Sequence, residues 1–466
     1  MSRINTNVSS LIAQRVLKKN NSNLNQSLER LSTGLKINRG ADNPAGLIVS
    51  ENLRAEKAGI SQAIENAERA SNIIGTAEGG LTEISSLLTE VQSLVSEAAN
   101  SGGLSQEEID ANQLQVDSIL STINRIAQST SFQGAKLLNG TYDYTTSSVT
   151  STAIDNLRIN AARLADGATG AVVVQVVASA ETGELAYTGG TLTGDTVTIE
   201  VAGTRGSEQL SFASGTTVGS IATAINAVKE ATGVSAVVSG TALVVNSTEY
   251  GANQFVSLKG IAGTFTMATT KDSGVDANVT VNGATAQADG LRVSFRSSNL
   301  DVEFDLDTTF NLPGTTTFGI TGGGATFALG SKVTEGDKAS IGIASVTTGS
   351  LGDSTNGYLS SLGSGGTNSL TSDNLTTAQK VIDKSIKQVS QLRGRLGAFQ
   401  RFTIGSTVNS LGVALENASS AESAIRDTDF AEETANLTRN QILAQAATTV
   451  LSQANASPMA ALALLQ

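Results

Sequence analysis

Apolar residues near both ends of the chain recur at spacings of three and four residues. The first series is Leu24, Leu28, Leu31 and Leu35, and a second, longer one runs through Leu81, Ile84, Leu88, Val91 and Val95. This spacing places apolar side chains on one face of an α-helix. The second series extends over 45–100 and predicts a helix about 84 Å long, which needs partner helices along its length.

The end of the chain repeats the pattern, so both ends offer amphipathic faces that can pair with each other. Its apolar positions include Leu392, Leu396, Phe399, Leu411 and Leu415, followed by an alanine-rich helix that contains Ile442. Two signatures mark helix starts: Ser105 with Glu108 forms a capping box, and Asp429 with Glu432 a second cap. Gly and Pro in the segment 40–46 predict an ordered break between the first two helices.

The middle of the chain is rich in Gly, Thr, Val and Ala, and apolar residues alternate there with polar ones, as in β-strands. Strands are predicted at 196–201 and 242–245 around a short helix at 218–226, with a hairpin at 292–295 and 302–306. The whole pattern predicts an α+β multi-domain fold. A long, coiled-coil-like α-helical bundle comes from both chain ends, and an inserted β-rich region lies outside it.

The net charge of −12 is concentrated in the middle of the chain. Residues 141–370 carry 10 basic and 20 acidic side chains, which argues against nucleic acid as a ligand. The ends differ in sign: residues 1–40 hold seven basic and one acidic side chain, and residues 422–466 hold two basic and five acidic. Opposite charge can set the orientation in which the two ends pair.

Cys and His are both absent, which excludes a thiolate nucleophile, a His general base and Cys or His metal ligands. A site built from carboxylates, or from Ser and Lys, stays open. The composition favours a protein that is not an enzyme, with no catalytic, cofactor-binding or metal-binding residues. Asp301, Glu303, Asp305 and Asp307 alternate along one strand; a solvated strand face is the favoured interpretation and a Ca²⁺ site the alternative. The run Gly322 to Gly324 is interpreted as a strand connection.

The first residues lack the basic segment and apolar core of a cleaved secretory signal. No apolar run reaches the length of about 18 residues that a transmembrane helix needs. We therefore expect no membrane span, and export, if it occurs, by a route that does not use such a signal.

Two long motifs resemble those of bacterial flagellins. The first runs from Leu31 to Asn38 and continues through Asp42 to Gly46; the second runs from Ile425 to Glu433 and continues through Asn440 to Ala446. The resemblance covers the first 140 residues or so and the last 95 or so. It implies a structural subunit that polymerises into the flagellar filament for swimming motility. The alternative is a hook–filament junction protein of the same superfamily.

The resemblance also implies a layered organisation. Residues 1–44 with 420–466 would form an inner helical core that folds on assembly, and residues 45–145 with 371–419 a helical tube around it. Residues 146–370 would form the inserted β-rich surface domains. These include a module at about 190–260 that is similar to one in flagellins and hook proteins.

The partners that the resemblance implies are other copies of the chain in a homopolymer, the type III export apparatus, and the hook-associated and cap proteins. An export chaperone would bind the C-terminal helix at 440–466. The location implied is the extracellular filament, after secretion. The motif's usual ending is altered here at 456–462. Carbohydrate binding by the insert is a further alternative, whereas an inserted His-dependent metalloprotease is excluded by the lack of His.

Flagellins that activate the host flagellin-sensing Toll-like receptor carry Gln-Arg-Val-Arg-Glu-Leu on the long helix. The matching residues of this chain are Thr89, Glu90, Val91, Gln92, Ser93 and Leu94. A carboxylate at Glu90 stands where those flagellins have a guanidinium, and reversing charge at an interface costs several kcal/mol or so. We predict weak receptor activation.

Overall fold

The chain folds into two compact units, each assembled from segments that are distant in sequence. The smaller unit comprises 1–68, 328–337 and 404–466, and the larger one 69–327 and 338–403. The computed structural model describes residues 6–100, 103–164, 168–192, 196–267, 269–372 and 374–463, with side chains up to residue 456. Asp195 of the predicted module and most side chains of the altered ending at 456–462 lie outside this description.

The helices of the described residues lie mainly at the two chain ends. They are α1 (Val8–Thr33), α2 (Pro44–Ala98), α3 (Gln106–Ser129), α4 (Val218–Ala227), α5 (Lys229–Thr232), α6 (Leu375–Ala398), α7 (Gly405–Arg426) and α8 (Phe430–Ala463). A π-helix at Phe399–Ile404 separates α6 from α7, and short 3₁₀ helices occur at Glu335–Asp337 and Leu359–Leu362.

The strands lie between the helical ends. They are β1 (Ser131–Phe132), β2 (Ala135–Lys136), β3 (Tyr144–Ser147), β4 (Ile154–Ala162), β5 (Gly170–Ala178), β6 (Glu184–Tyr187), β7 (Val197–Gly203), β8 (Ser207–Phe212), β9 (Val234–Ser239), β10 (Ala242–Ser247), β11 (Phe255–Ala262), β12 (Lys271–Ser273), β13 (Asn278–Val281), β14 (Ala284–Thr285), β15 (Gln287–Asp289), β16 (Arg292–Arg296), β17 (Leu300–Leu306), β18 (Gly314–Gly323), β19 (Ala325–Ala328), β20 (Lys338–Ile341), β21 (Gly352–Asp353) and β22 (Gly357–Tyr358). Terminal helices with a central β-rich region confirm the predicted α+β fold class.

The helix ends are set by local polar contacts. At the start of α3, the Ser105 hydroxyl accepts from the Glu108 N–H, and the Glu108 carboxylate accepts from the Ser105 N–H, which confirms the capping box. Asp429 Oδ1 accepts from the N–H groups of Ala431 and Glu432 at the start of α8. Gly34 ends α1 in the left-handed region, with φ 72°, a conformation that costs a glycine little.

The helical part of the larger unit is held by the apolar stripe of α2. Leu81, Ile84, Leu88 and Val91 are fully buried, and so is Leu396 of α6. Polar contacts flank this stripe, since Gln92 donates to Asp383 at 3.0 Å and Gln400 donates to the Ser71 hydroxyl at 2.8 Å. The second half of α2 therefore packs beside α6 and the π-helix that follows it.

The β-rich region contains two separate hydrophobic cores. The first lies between the sheets β14-β13-β5-β18-β3 and β15-β16-β17-β4, and Phe304 and Phe318 are among its buried side chains. The second lies between the sheets β6-β10-β9 and β12-β11-β7-β8, and Ile221 and Ile225 of α4 fill it. Buried and half-buried residues alternate along β7 and β17, as a sheet with one covered face requires.

Two expectations for the middle of the chain are corrected. Gly322 and Gly323 belong to the end of β18, and only Gly324 of the predicted connection lies between β18 and β19. A Cβ on Gly323 would lie 2.1 Å from the Asp143 carbonyl, so the close strand approach requires glycine. The carboxylates of β17 are not a solvated face. They are half-buried, and Asp301 pairs with Arg296 at 2.9 Å because β16 brings its arginines alongside.

The π-helix lies where the apolar series takes a step of five residues, from Phe399 to Ile404. A π-turn accommodates one extra residue, so the apolar positions before and after it stay on the same side of the helix. Phe399 therefore lies in this π-turn and not in an uninterrupted α-helical stripe. The centre of its ring is 6.2 Å from that of Phe327.

Candidate assembly surface

Helices α1 and α8 of the smaller unit form an antiparallel hairpin that joins the two chain ends. Asparagine side chains link them along its length. Asn7 donates to the Ala454 carbonyl at 2.7 Å, and Asn20 donates to the Leu443 carbonyl at 3.1 Å. Because these pairs lie far apart along the two helices, they fix the register of the hairpin.

Charge and backbone contacts close the hairpin at the other end. Arg30 lies 3.5 Å from Glu433, whose side chain is almost fully buried. The Lys36 N–H donates to the Arg426 carbonyl at 2.7 Å, and the Thr428 N–H donates to the Gly34 carbonyl at 2.9 Å. The basic start and the acidic end of the chain thus meet in one ion pair and a short two-stranded bridge.

The break between α1 and α2 is an ordered turn built around Asp42. Its carboxylate accepts from the N–H groups of Asn38 and Arg39 and from the Gln26 amide, at 2.9 to 3.1 Å. The hydrogen bond from Arg39 is the largest influence and lowers the pKa of Asp42, which burial opposes. Asp42 therefore stays ionised and holds the turn.

Ion pairs also join the start of α2 to α7. Lys57 lies 2.8 Å from Glu422, and Arg54 lies 3.8 Å from the same carboxylate. Arg426, at the end of α7, lies 3.0 Å from Glu51. The pKa of Glu51 is lowered, first by its hydrogen bond to Arg54. These contacts orient the helices more than they stabilise them, because most of the groups are partly exposed.

The hairpin leaves an apolar face uncovered. Only Ser10, Ala13 and Ser27 of α1 are buried, so two helices alone bury little apolar surface. The exposed apolar side chains, between 44 and 65% accessible, are Val8, Leu11, Ile12, Val16, Leu28, Phe430, Ile442, Leu443 and Val450. A patch of this extent on a soluble protein marks an interaction surface.

The predicted apolar positions fall into three groups by burial. Leu81, Ile84, Leu88, Val91, Val95, Leu392 and Leu396 are buried. Leu24, Leu31, Leu35, Phe399, Leu411 and Leu415 are half-buried. Leu28 and Ile442 are exposed and belong to the uncovered face of the hairpin. The asparagine contacts were missed by sequence analysis, although the Asn-rich composition of the first helix was a usable signal.

The six residues compared with the receptor motif all lie on the second half of α2. Thr89, Glu90 and Ser93 are exposed, Gln92 is half-buried, and Val91 and Leu94 are buried. Gln92 is occupied by its hydrogen bond to Asp383. An approaching protein would therefore meet Thr89, Glu90 and Ser93, with a negative charge at their centre.

The described residues offer no metal-binding cluster of three or more acidic side chains. Over the same part of the chain, no helix combines the length and apolarity that crossing a bilayer needs.

Three family models match the chain. The bacterial flagellin N-terminal helical region matches residues 4–143, the C-terminal helical region matches 379–465, and the flagellin hook IN motif matches 196–249. B-type flagellin of Pseudomonas aeruginosa is 30% identical over 521 residues and flagellin A of Vibrio anguillarum is 30% identical over 463 residues, each with 99% of both chains covered. The chain belongs to the flagellin family. As a flagellin, it is a structural subunit of the bacterial flagellar filament.

Flagellin names among these relatives favour the filament subunit over the junction protein. Among solved structures, FliC from Burkholderia pseudomallei is 17% identical, with 71% of this chain and 99% of that chain covered. Its TM-score of 0.24 is too low to carry an argument about this flagellin.

Proposed function

We propose that the α1–α8 hairpin is the surface through which this flagellin polymerises, and that other copies of the chain cover it. The observation that carries the proposal is its uncovered apolar face, which includes Ile442 at 65% exposure. Burying apolar surface contributes about 25 cal/mol per Å². Contacts that repeat from copy to copy without closing into a ring produce an open helical filament.

This role implies that the filament is built in layers. Residues 1–44 with 420–466 form the inner core, residues 45–145 with 371–419 form the tube around it, and residues 146–370 face outward. The acidic, β-rich insert suits an exposed surface because like charges keep neighbouring filaments apart. The protein has no enzymatic role in this proposal, and it works in the extracellular filament after secretion.

Export and capping partners complete the proposal. The type III export apparatus secretes the chain, and an export chaperone binds the region 440–466, where it would cover Ile442 and Leu443 of α8 before assembly. Hook-associated and cap proteins contact the ends of the filament. An apolar helix face that must stay soluble before assembly supports a chaperone there.

The test of the assembly surface is a pair of matched substitutions. Ile442→Lys places a charge on the proposed interface, and Val237→Lys does the same on the insert at a nearly equal exposure of 63%. Burying an unpaired lysine costs several kcal/mol or so, so Ile442→Lys should abolish seeded polymerisation in a sedimentation assay. Val237→Lys should polymerise like the unaltered chain. Normal polymerisation of Ile442→Lys would contradict the proposal.

We also propose that this flagellin activates the flagellin-sensing Toll-like receptor weakly. Glu90 is exposed on α2 and would meet the receptor with the charge opposite to that of activating flagellins. A cell reporter assay should show a much reduced response, and Glu90→Arg should raise it, with Glu97→Arg on the same helix as a control. A full response of the unaltered chain at picomolar concentration would contradict this.

A further inference from the structure

A cavity of about 650 Å³ lies inside the larger unit, and all its lining residues belong to that unit. Strands β4 and β17 form one side, and α6 with the following π-helix forms the other. Its wall is mixed: Ile341, Leu392 and Phe399 supply apolar surface, and Arg158 and Arg395 supply guanidinium groups. Its volume is in the range of small-molecule sites, which is about 300 to 1,000 Å³.

Arg395 lines this cavity with an unmet hydrogen-bond donor. Its Nη2 donates to the Gly342 carbonyl at 3.1 Å. Its Nε is buried and has no hydrogen-bond acceptor among the described residues. Buried donors are nearly always paired in folded proteins, so the unpaired Nε beside this cavity is an exception.

Arg158, on β4, lines the same cavity. Within the described parts of the chain, its guanidinium group makes no hydrogen bond and no ion pair, and only burial and more distant charges act on it. Burial lowers the pKa of Arg158 and that of Arg395, and the charge of Arg158 lowers the pKa of Arg395 further. A guanidinium group nevertheless stays protonated in proteins, so both remain cations in the wall of this cavity, which Arg296 also lines.

The carboxylates of the cavity wall have other partners among the described residues, and Arg296, the partner of two of them, lines the same cavity. Asp301 accepts from Arg296 at 2.9 Å and from the Asn160 amide at 3.0 Å, and Glu303 lies 3.9 Å from Arg296. Asp143 accepts from the Tyr144 N–H at 2.8 Å, and burial raises the pKa of Asp143. Arg158 and Arg395 are therefore influenced by these charges without being bonded to them.

We propose that this cavity binds the oxyanion group of a small organic molecule between Arg158 and Arg395. A carboxylate or a phosphate group matches the planar fork of a guanidinium group with two parallel hydrogen bonds. The apolar wall near Phe399 would cover the carbon skeleton. None of the residues that line the cavity belongs to the α1–α8 hairpin, so every subunit of the filament could carry such a ligand.

The experiment is isothermal titration calorimetry on the full-length subunit at constant ionic strength. Glucuronate probes for a carboxylate, glucose 6-phosphate for a phosphate, and glucose is the uncharged control. We expect saturable binding of at least one of the two anions and none of glucose. Binding of only one anion identifies the group that the site takes. The absence of saturable binding by either anion would overturn the proposal.

Three variants place the binding in the cavity. Arg395→Gln and Arg158→Gln each remove a charged donor and should weaken binding about tenfold or more. Arg163→Gln, an exposed arginine outside the cavity, should bind like the unaltered chain. Circular dichroism checks the fold, and Arg395→Lys, which keeps the charge and loses the fork, substitutes for Arg395→Gln if that variant does not fold. Unchanged binding by both Arg158→Gln and the Arg395 variant would contradict the site.

Discussion

Leu88 and Thr89 are neighbours on α2 with opposite surroundings. Leu88 is fully buried, whereas Thr89 is exposed. Leu88→Ala removes buried methyl groups and should lower the free energy of unfolding by about 2 to 5 kcal/mol. Thr89→Ala should change it by less than about 0.5 kcal/mol. Urea unfolding followed by circular dichroism measures both, and equal effects would mean that the apolar stripe of α2 does not hold the core.

The Asp143 carboxyl should make the free energy of unfolding depend on pH. Burial raises the pKa of its carboxyl above the ordinary 3.8, and the Tyr144 N–H and the nearby arginines only partly oppose this. The folded chain therefore binds this proton more tightly than the unfolded chain. Its contribution to stability is present at low pH and is lost as pH rises from about 3.8 through the folded-state pKa.

Asp143→Asn removes this titration but keeps an oxygen that can accept from Tyr144. The free energy of unfolding of the variant, minus that of the unaltered chain, should rise with pH across the same window. Urea unfolding of both proteins at a series of pH values measures this difference. The contributions of the other carboxylates cancel because both proteins contain them. A difference that stays constant with pH would show that the Asp143 carboxyl titrates normally.

For single residues, the spacing of the apolar positions predicted burial well along α2. An apolar stripe at helical spacing can be recognised without knowing which element covers it. The spacing did not predict that Asp301 pairs with Arg296, because the register of β16 against β17 decides that contact. Sequence could not show either that, among the described residues, Arg158 makes no hydrogen bond and the Nε of Arg395 has no acceptor. This depends on which acceptors the surrounding strands leave unused.

At the scale of elements, the π-helix between α6 and α7 makes a specific prediction. Deleting Phe402, which is 67% exposed, shortens the step from Phe399 to Ile404 from five residues to four. An ordinary α-helix then keeps both apolar series in phase. The variant should unfold cooperatively, with helicity equal to or above that of the unaltered chain by circular dichroism.

Deleting Gln391 within α6 is the matched control. It rotates the helix on one side of the deletion by about 100° relative to the other, so buried residues such as Val389 and Leu392 cannot both face the core. Its loss of stability should reach several kcal/mol or so. If the Phe402 deletion were the more damaging of the two, the extra residue would not be what the π-helix accommodates.

Element types and many element boundaries were predictable because apolar residues recur every three or four positions at the chain ends and alternate with polar ones in the middle. The capping box at Ser105 placed the start of α3 correctly, since its chemistry is local. The glycine run at 322–324 was predicted correctly as a connection only at Gly324, because glycine suits both a connection and a strand that approaches another closely. Only the neighbouring Asp143 carbonyl distinguishes the two.

For the whole molecule, the thin α1–α8 hairpin implies that the terminal layer is weakly stable before assembly. Helices of this kind gain most of their stability from packing, and the hairpin buries few apolar side chains. We predict that residues 1–40 and 422–466 exchange their amide hydrogens rapidly in the isolated subunit and slowly in filaments. The second half of α2 should be protected in both states. Equal protection of the terminal residues in both states would contradict folding on assembly.

The sequence motifs led to the family, and the pattern of charge indicated that the two ends would meet. The sequence could not show which apolar residues of the hairpin remain uncovered, because that depends on how α1 and α8 face each other. Nor could it reveal the cavity, which forms between strands and a helix that are more than 200 residues apart in the chain, as Arg158 and Arg395 are.

Cryo-electron microscopy of filaments grown from the purified subunit tests the central claim most directly. Our account predicts that the α1–α8 hairpins form the innermost layer and that Leu11, Ile442 and Val450 are buried against neighbouring copies. The β-rich insert should lie on the outside. A filament in which these three side chains contact no neighbouring copy, or in which the insert makes the inner contacts, would contradict the account.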